Sequence, residues 1–140
     1  MKILLAVDGS DYTKRMLAYL AAHDELLGRR HQYTVVHSVD AVPPHAASYV
    51  EAATLKLYYE EEAEAVFKPV RAFLHQQGIE ATFVRTTGQV AQSIAAAAED
   101  RNVDLLVMGS HGHGNFINLV LGSVATKVLA LCATPVLLVR

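Results

Sequence analysis

Cysteine is almost absent from this chain: the single Cys132 cannot close an intramolecular disulfide, and its apolar context points to a buried free thiol. A reducing compartment fits that usage, so a cytoplasmic protein is expected. Positive charge is also scarce, with 12 Lys and Arg against 14 Asp and Glu and a formal net charge of −2. Such a balance offers no basic field for neutralising phosphates along a polymer, and no nucleic acid is expected as a partner. No apolar run reaches the roughly 18 residues of a membrane span, so no membrane is expected either. The beginning, MKILLAVDGSD, lacks the longer apolar core and the small-residue cleavage site of a signal peptide.

Several signatures of chemistry are missing too. There is no G-x-x-x-x-G-K-[ST] phosphate loop, and the first apolar run ends in DGSD rather than G-x-G-x-x-G. Ser110 beside His111 comes nearest to a nucleophile and base, but adjacent residues in a glycine loop are not expected to point together, and no orienting acid follows. His111 and His113 offer two ring nitrogens, yet no Cys or close carboxylate pair completes a ligand set, so no metal site is expected. From Leu105 to Thr126 there is no Asp, Glu, Lys or Arg at all. Whatever that window does is done by backbone amides, hydroxyls, side-chain amides and two histidines.

What is present is material for one core: 140 residues, 52% hydrophobic and 19% charged, read as a single domain over residues 1–140. Lys2 to Asp8 reads as a strand buried on both faces, and Ser10 or Asp11 can cap a helix that runs on to Gly28. Tyr33 to Val39 is a second strand, and the Pro-rich text from Asp40 to Ser48 predicts an irregular connection. A long helix over about Ala53 to Gln77 follows, with Pro69 expected to bend or break it. Ile79 to Thr86, Val103 to Met108 and Pro135 to Val139 supply three more strands; Val90 to Asp100 and Leu121 to Leu131 supply two more helices. This β-α-β alternation predicts a parallel sheet covered on both faces, with a ligand crevice at the carboxyl ends of its strands, where Asp8 and Gly109 lie.

Half of the eight glycines fall within MGSHGHGNFINLVLGSV, Met108 to Val124. Gly109, Gly112 and Gly122-Ser123 are spaced G, two residues, G, nine residues, G-S. Glycine admits close backbone approach and positive φ, which lets successive amides face one anion. Gly122-Ser123 at a helix start adds free N–H groups and the positive end of the helix dipole. With KILLAVDGS, VVHSVD, VDLLVMGSHG, LGSVATKVL and TPVLLV, this spacing resembles the universal stress protein family, in particular its ATP-binding subgroup, over nearly the whole chain.

The resemblance implies an α/β fold, a three-layer α/β/α sandwich whose five-stranded parallel sheet has the order 3-2-1-4-5. It implies that Gly112, Gly122, Ser123 and Val124 contact the phosphates of ATP, ADP or AMP, with Mg, while Gly109 and Asp8 hold the adenosine. Asp8 alone could instead be a helix cap. Two positions depart from the family's pattern: Ser38 stands where an apolar residue usually meets adenine, and His113 stands where Arg or Lys often follows S-H-G. The apolar final strand, Val136, Leu137, Leu138 and Val139, predicts a homodimer paired through a sheet edge, as in the family's usual dimer. The function implied is a nucleotide-dependent stress-response or regulatory role with an unknown protein partner. The alternatives are a dimeric interaction protein that binds no nucleotide and a slow ATPase.

Overall fold

A computed structural model describes residues 1–114 and 118–140; positions 115–117 of the glycine-rich window lie outside the described residues. Its elements in chain order are β1 (Lys2–Ala6), α1 (Asp11–Ala21), β2 (Gln32–Val39), α2 (Pro44–Ala47), α3 (Ala52–Gln76), β3 (Ala81–Thr87), α4 (Val90–Asp100), β4 (Leu105–Gly109), α5 (Ser123–Leu131) and β5 (Val136–Val139). The five strands form one parallel sheet in the order β3-β2-β1-β4-β5, as expected.

The pleat explains why the inner strands read as continuous apolar runs. Along β1 and just beyond it, Ile3, Leu5 and Val7 point to a cluster shared with Met16, Leu17 and Leu20 of α1 and Phe67, Val70 and Leu74 of α3. Leu4 and Ala6 point the other way, to Ile94 and Ala98 of α4 and Ala125 and Val128 of α5. Both faces are buried from Ile3 to Val7, which is why that run is apolar throughout. The alanines of α4 let that helix lie close to the sheet, with Ala91, Ala95, Ala97 and Ala98 all buried.

Three boundaries differ from the sequence reading. Helix α1 stops at Ala21, not near Gly28, because His23 N–H takes the Leu20 carbonyl and the chain turns there, anchored by buried Leu27. The tyrosine hydroxyl of Tyr33 then holds the carbonyl of Gly28 at 2.7 Å and that of Leu26 at 3.2 Å. The Pro-rich connection contains one helical turn, α2, with Pro44 at its first position, where a missing N–H removes no helical bond. Pro69 does not break α3, which is continuous over 25 residues. An interior proline costs a helix about 3 kcal/mol. Burial of Phe67, Val70 and Leu74 on either side of it stabilises the helix by about 1.5–3 kcal/mol per side chain, which outweighs that penalty.

Candidate functional site

At the carboxyl ends of β1 and β4 the chain leaves the sheet in opposite directions, and a cleft of about 480 Å³ opens between the two exits. That is the size range of small-ligand sites, and the place is the switch point of the sheet. Asp8, Ser38, Gly109, Gly112, His113, Gly122, Ser123 and Val124 all line it, so the residues singled out in the sequence are gathered around one space.

The β1 side is built by a tight turn. Val7 N–H still reaches the Val36 carbonyl at 3.0 Å, after which Gly9 turns the chain with φ of +76°, a conformation that L side chains rarely adopt. Asp8 Oδ1 accepts the Ser10 N–H at 2.9 Å and the Thr13 hydroxyl at 3.0 Å, and Thr13 Oγ1 in turn accepts the Asp8 N–H at 3.1 Å. One oxygen of Asp8 thus ties the turn before α1 to Thr13, but it accepts no helix amide: the N-cap is Ser10, and the helix-cap reading of Asp8 is corrected. Its other oxygen, Oδ2, is turned toward Gly112, where a Cβ would stand only 2.9 Å away.

The β4 side is the glycine-rich window. Its glycines serve close approach rather than positive φ, which is a correction to the expected backbone: neither Gly109, Gly112 nor Gly122 is left-handed. At Gly109 a Cβ would come within 2.6 Å of Tyr12 Cβ, so α1 and β4 could not sit so close with any other residue. Gly122 N–H is committed to the Ser110 carbonyl at 2.8 Å, which leaves Gly122 to shape the cleft by its missing side chain. The first bond of α5 is Thr126 N–H to the Gly122 carbonyl at 3.0 Å. The amides of Ser123, Val124 and Ala125 precede it and have no helical acceptor, so the positive end of α5 faces the cleft with three donors that have no acceptor among the described residues.

Both histidines of the window are braced. His113 Nε2–H donates to the Asp8 carbonyl at 2.7 Å, joining the two walls across 105 residues of sequence. His111 Nε2 lies 2.9 Å from the Leu119 carbonyl, which can only accept, so that nitrogen carries the proton. Its Nδ1 is therefore the acceptor for the Ser110 hydroxyl at 2.8 Å. Ser110 and His111 do point together, contrary to expectation, because the second bond to Leu119 fixes the ring. Ser110 is fully buried, however, and the orienting group is a carbonyl rather than a carboxylate. The arrangement is a strut across the loop, and the tilted stack of Tyr12 on His111, with ring centroids 5.0 Å apart, secures it to α1.

Strand β2 closes the cleft from the other side. The Val36 carbonyl faces β1, and backbone direction alternates along a strand, so Ser38 turns its N–H and C=O the same way, beyond the point where β1 has left. His37 Nδ1–H donates to the Val7 carbonyl at 2.8 Å and takes the acceptor that the ladder would otherwise have offered. Sequence reasoning missed His37, and it missed Tyr58, Glu62 and Val66 of α3, which also line the cleft. Adjacency to Ser38 could have flagged His37. Nothing local marks the α3 residues, because only the packing of α3 over β2 brings them there. Asp8, Asp40 and Glu62 are the acidic lining residues, and among the described residues lining the cleft there is no Lys or Arg.

The universal stress protein family model matches residues 1–140. A universal stress protein of Thermus aquaticus is 38% identical over 140 residues, covering 99% of this chain and 97% of that protein. Among solved structures, Methanocaldococcus jannaschii MJ0577 superposes with a TM-score of 0.82 at 29% identity, covering 99% of this chain and 94% of that one. The universal stress protein of Archaeoglobus fulgidus in complex with dAMP gives a TM-score of 0.69 at 22% identity over 100% of this chain and 98% of that one, a likeness of fold. Helices of this chain among the described residues are too short or too polar to cross a membrane. With its sheet order, its cleft at the β1/β4 exit and the match over its full length, the chain belongs to the universal stress protein family.

Proposed function

We propose that the cleft binds an adenine nucleotide, ATP, ADP or AMP, and that occupancy governs a regulatory role in the cytoplasmic stress response through an unidentified protein partner. The observation that carries this reading is the set of free amides at Ser123, Val124 and Ala125, aimed into a cleft whose opposite end offers the Ser38 N–H and C=O. The first set suits phosphate oxygens. The second pairs a donor with an acceptor, which is the pattern that adenine N1 and its 6-amino group require. Between them Asp8 Oδ2 is placed to accept from ribose hydroxyls, and Gly109 and Gly112 let the ligand approach the backbone closely. The nucleotide held by the Archaeoglobus fulgidus neighbour supports the class of ligand.

His113 adds a ring rather than a fixed cation, so the amides and the helix dipole bear most of the phosphate charge. Mg²⁺ would arrive with the triphosphate and complete its shell with water, since magnesium sites on nucleotides use few protein ligands. Calorimetric titration with and without EDTA tests this: removal of the metal should weaken ATP binding about tenfold, one unit of the usual affinity scale, and leave AMP binding unchanged. Equal affinity for ATP with and without the metal would contradict it. Slow hydrolysis of ATP is a separate property that phosphate release would measure.

We also propose a homodimer through Val136, Leu137, Leu138 and Val139. The β4 bonds run from Leu106 N–H to the Pro135 carbonyl and from Ser110 N–H to the Val139 carbonyl, so the backbone groups of Val136 and Leu138 face the open edge of the sheet. Leu129 and Leu131, just before that strand, are exposed apolar side chains. Edge pairing with a second copy would cover both features.

A further inference from the structure

We infer that α2, the turn after it and the first turns of α3 form a docking surface for a basic protein segment with apolar anchors, a stretch rich in Lys or Arg that also carries leucine-like side chains. This names the chemistry of the partner that the regulatory reading above requires; it rests on that reading for the purpose of docking and not for the binding itself. From Asp40 to Glu62 no residue is buried, and the first buried residue of α3 is Ala63. The stretch is tied to the body of the protein by Tyr59, which packs against the core and whose hydroxyl accepts the Val42 N–H at 2.9 Å. Four large apolar side chains are nonetheless exposed within ten residues of it: Tyr49 at 79%, Val50, Leu57 at 53% and Tyr58. Helical spacing sets Leu57 and Tyr58 on the side of α3 away from Ala63, Phe67 and Val70, with Glu61 one turn further along the same side. Single exposed apolar residues are ordinary, whereas a group gathered on one projection marks a contact, and tyrosine is among the residues that anchor contacts best.

Charge decides the occupant. Asp40, Glu51, Glu61 and Glu62 have no ion-pair partner among the described residues, and the one cation of the stretch, Lys56, lies 4.0 Å from Glu60. That field repels nucleic acid and an anionic lipid surface. A second copy of the chain would set the same acidic face against this one across a two-fold axis. A Lys- or Arg-rich segment brings the opposite charge, and its aliphatic residues cover Tyr49 and Leu57. Asp40, Tyr58 and Glu62 also line the cleft, so a partner seated here lies beside the ligand site.

Fluorescence anisotropy with the full chain and a short labelled peptide of leucine and lysine in amphipathic order tests this in the absence of nucleotide. The peptide should bind, and peptides with glutamate for every lysine, or serine for every leucine, should bind at least about tenfold more weakly. Tyr49→Ser combined with Leu57→Ser should weaken the leucine-lysine peptide about tenfold, and Glu51→Lys combined with Glu61→Lys by a similar factor. Glu99→Lys combined with Asp100→Lys changes the net charge equally, but on α4 at the other face of the sheet, and should leave the affinity as it is. All six side chains are exposed, so the fold is not at stake in any variant. The inference is overturned if the wild type does not bind the peptide, if either pair on the α3 side leaves the affinity unchanged, or if the α4 pair weakens it as much. Preference for phosphatidylserine vesicles over the peptide, or an oligomer that dissociates in Leu57→Ser, would assign the face to a membrane or to a second copy and overturn it as well. AMP titrated into the same wild type separates the two readings: peptide binding without AMP binding upholds this inference and overturns the nucleotide reading alone.

Discussion

Tyr33 shows how a single side chain joins local structure to stability. Its hydroxyl serves the carbonyls of Leu26 and Gly28 in the turn that replaces the end of α1, and its ring is buried in the core beneath β2. Burial pushes the phenol up to about 12, because the charged form is the one penalised by loss of water. A folded value above the unfolded one means that the folded protein holds this proton more tightly. The resulting stability is fully present below the unfolded tyrosine value of about 10 and is lost as pH rises from there to about 12. Urea denaturation across that range should show a fall in stability that Tyr33→Phe lacks; the variant should also lose about 1 kcal/mol at neutral pH through its two deprived carbonyls. Identical pH profiles in the two proteins would contradict this account.

At the same scale, the sequence showed which residues crowd the site but not which atoms each would commit. Asp8 could be read as a ligand or as a cap; one of its oxygens instead braces the turn before α1, and the other is turned toward Gly112. Gly122 could be read as a phosphate contact, and its amide belongs to Ser110. Such divisions depend on distances of a few tenths of an ångström between segments far apart in sequence. His113 meeting the Asp8 carbonyl is another case, since neither residue carries any local mark of the other.

Elements were legible where burial imposes a pattern. Strands β1 and β4 are covered on both faces and announce themselves as unbroken apolar runs, and the glycine and serine at the start of α5 mark its first turn. Legibility failed where tertiary packing overrides local preference. Pro69 is tolerated because Ala63, Phe67, Val70 and Leu74 hold one face of α3 to the sheet, and α1 ends early because Leu27 and Tyr33 draw the following turn into the core. The edge strand carries a direct prediction. Leu138→Pro removes an N–H that faces outward, leaving the ladder to β4 intact, so the fold should persist while sedimentation shows the proposed dimer giving way to monomer. A variant that stays dimeric would place the contact elsewhere.

For the molecule as a whole, two apolar layers cover a sheet from whose paired central strands the chain exits to opposite faces, and the cleft is the gap between those exits. The alternation of strand and helix made that architecture readable from the sequence, since buried parallel strands and right-handed crossovers leave few other arrangements. The α3 wall of the cleft was not readable, because which helix overhangs the switch point depends on crossing angle rather than on any motif. Once assembled, the cleft has an uncharged wall rich in amides at α5, and its acidic lining comes from Asp8, Asp40 and Glu62. That polarity would suit the proposed ligand, with phosphate at one end and hydrogen-bond donors at the other.

Calorimetric titration of AMP and Mg-ATP into the wild type and Gly122→Asp is the most direct test of that assignment. A side chain at residue 122 would meet His111 Cα at 3.1 Å and the Ser110 carbonyl at 3.2 Å, and the aspartate would set a negative charge against the free amides of α5. The account predicts one nucleotide per chain in the wild type and a loss of at least about a hundredfold in the variant, with the larger loss for Mg-ATP. No binding by the folded wild type, or equal binding by both proteins, would contradict it.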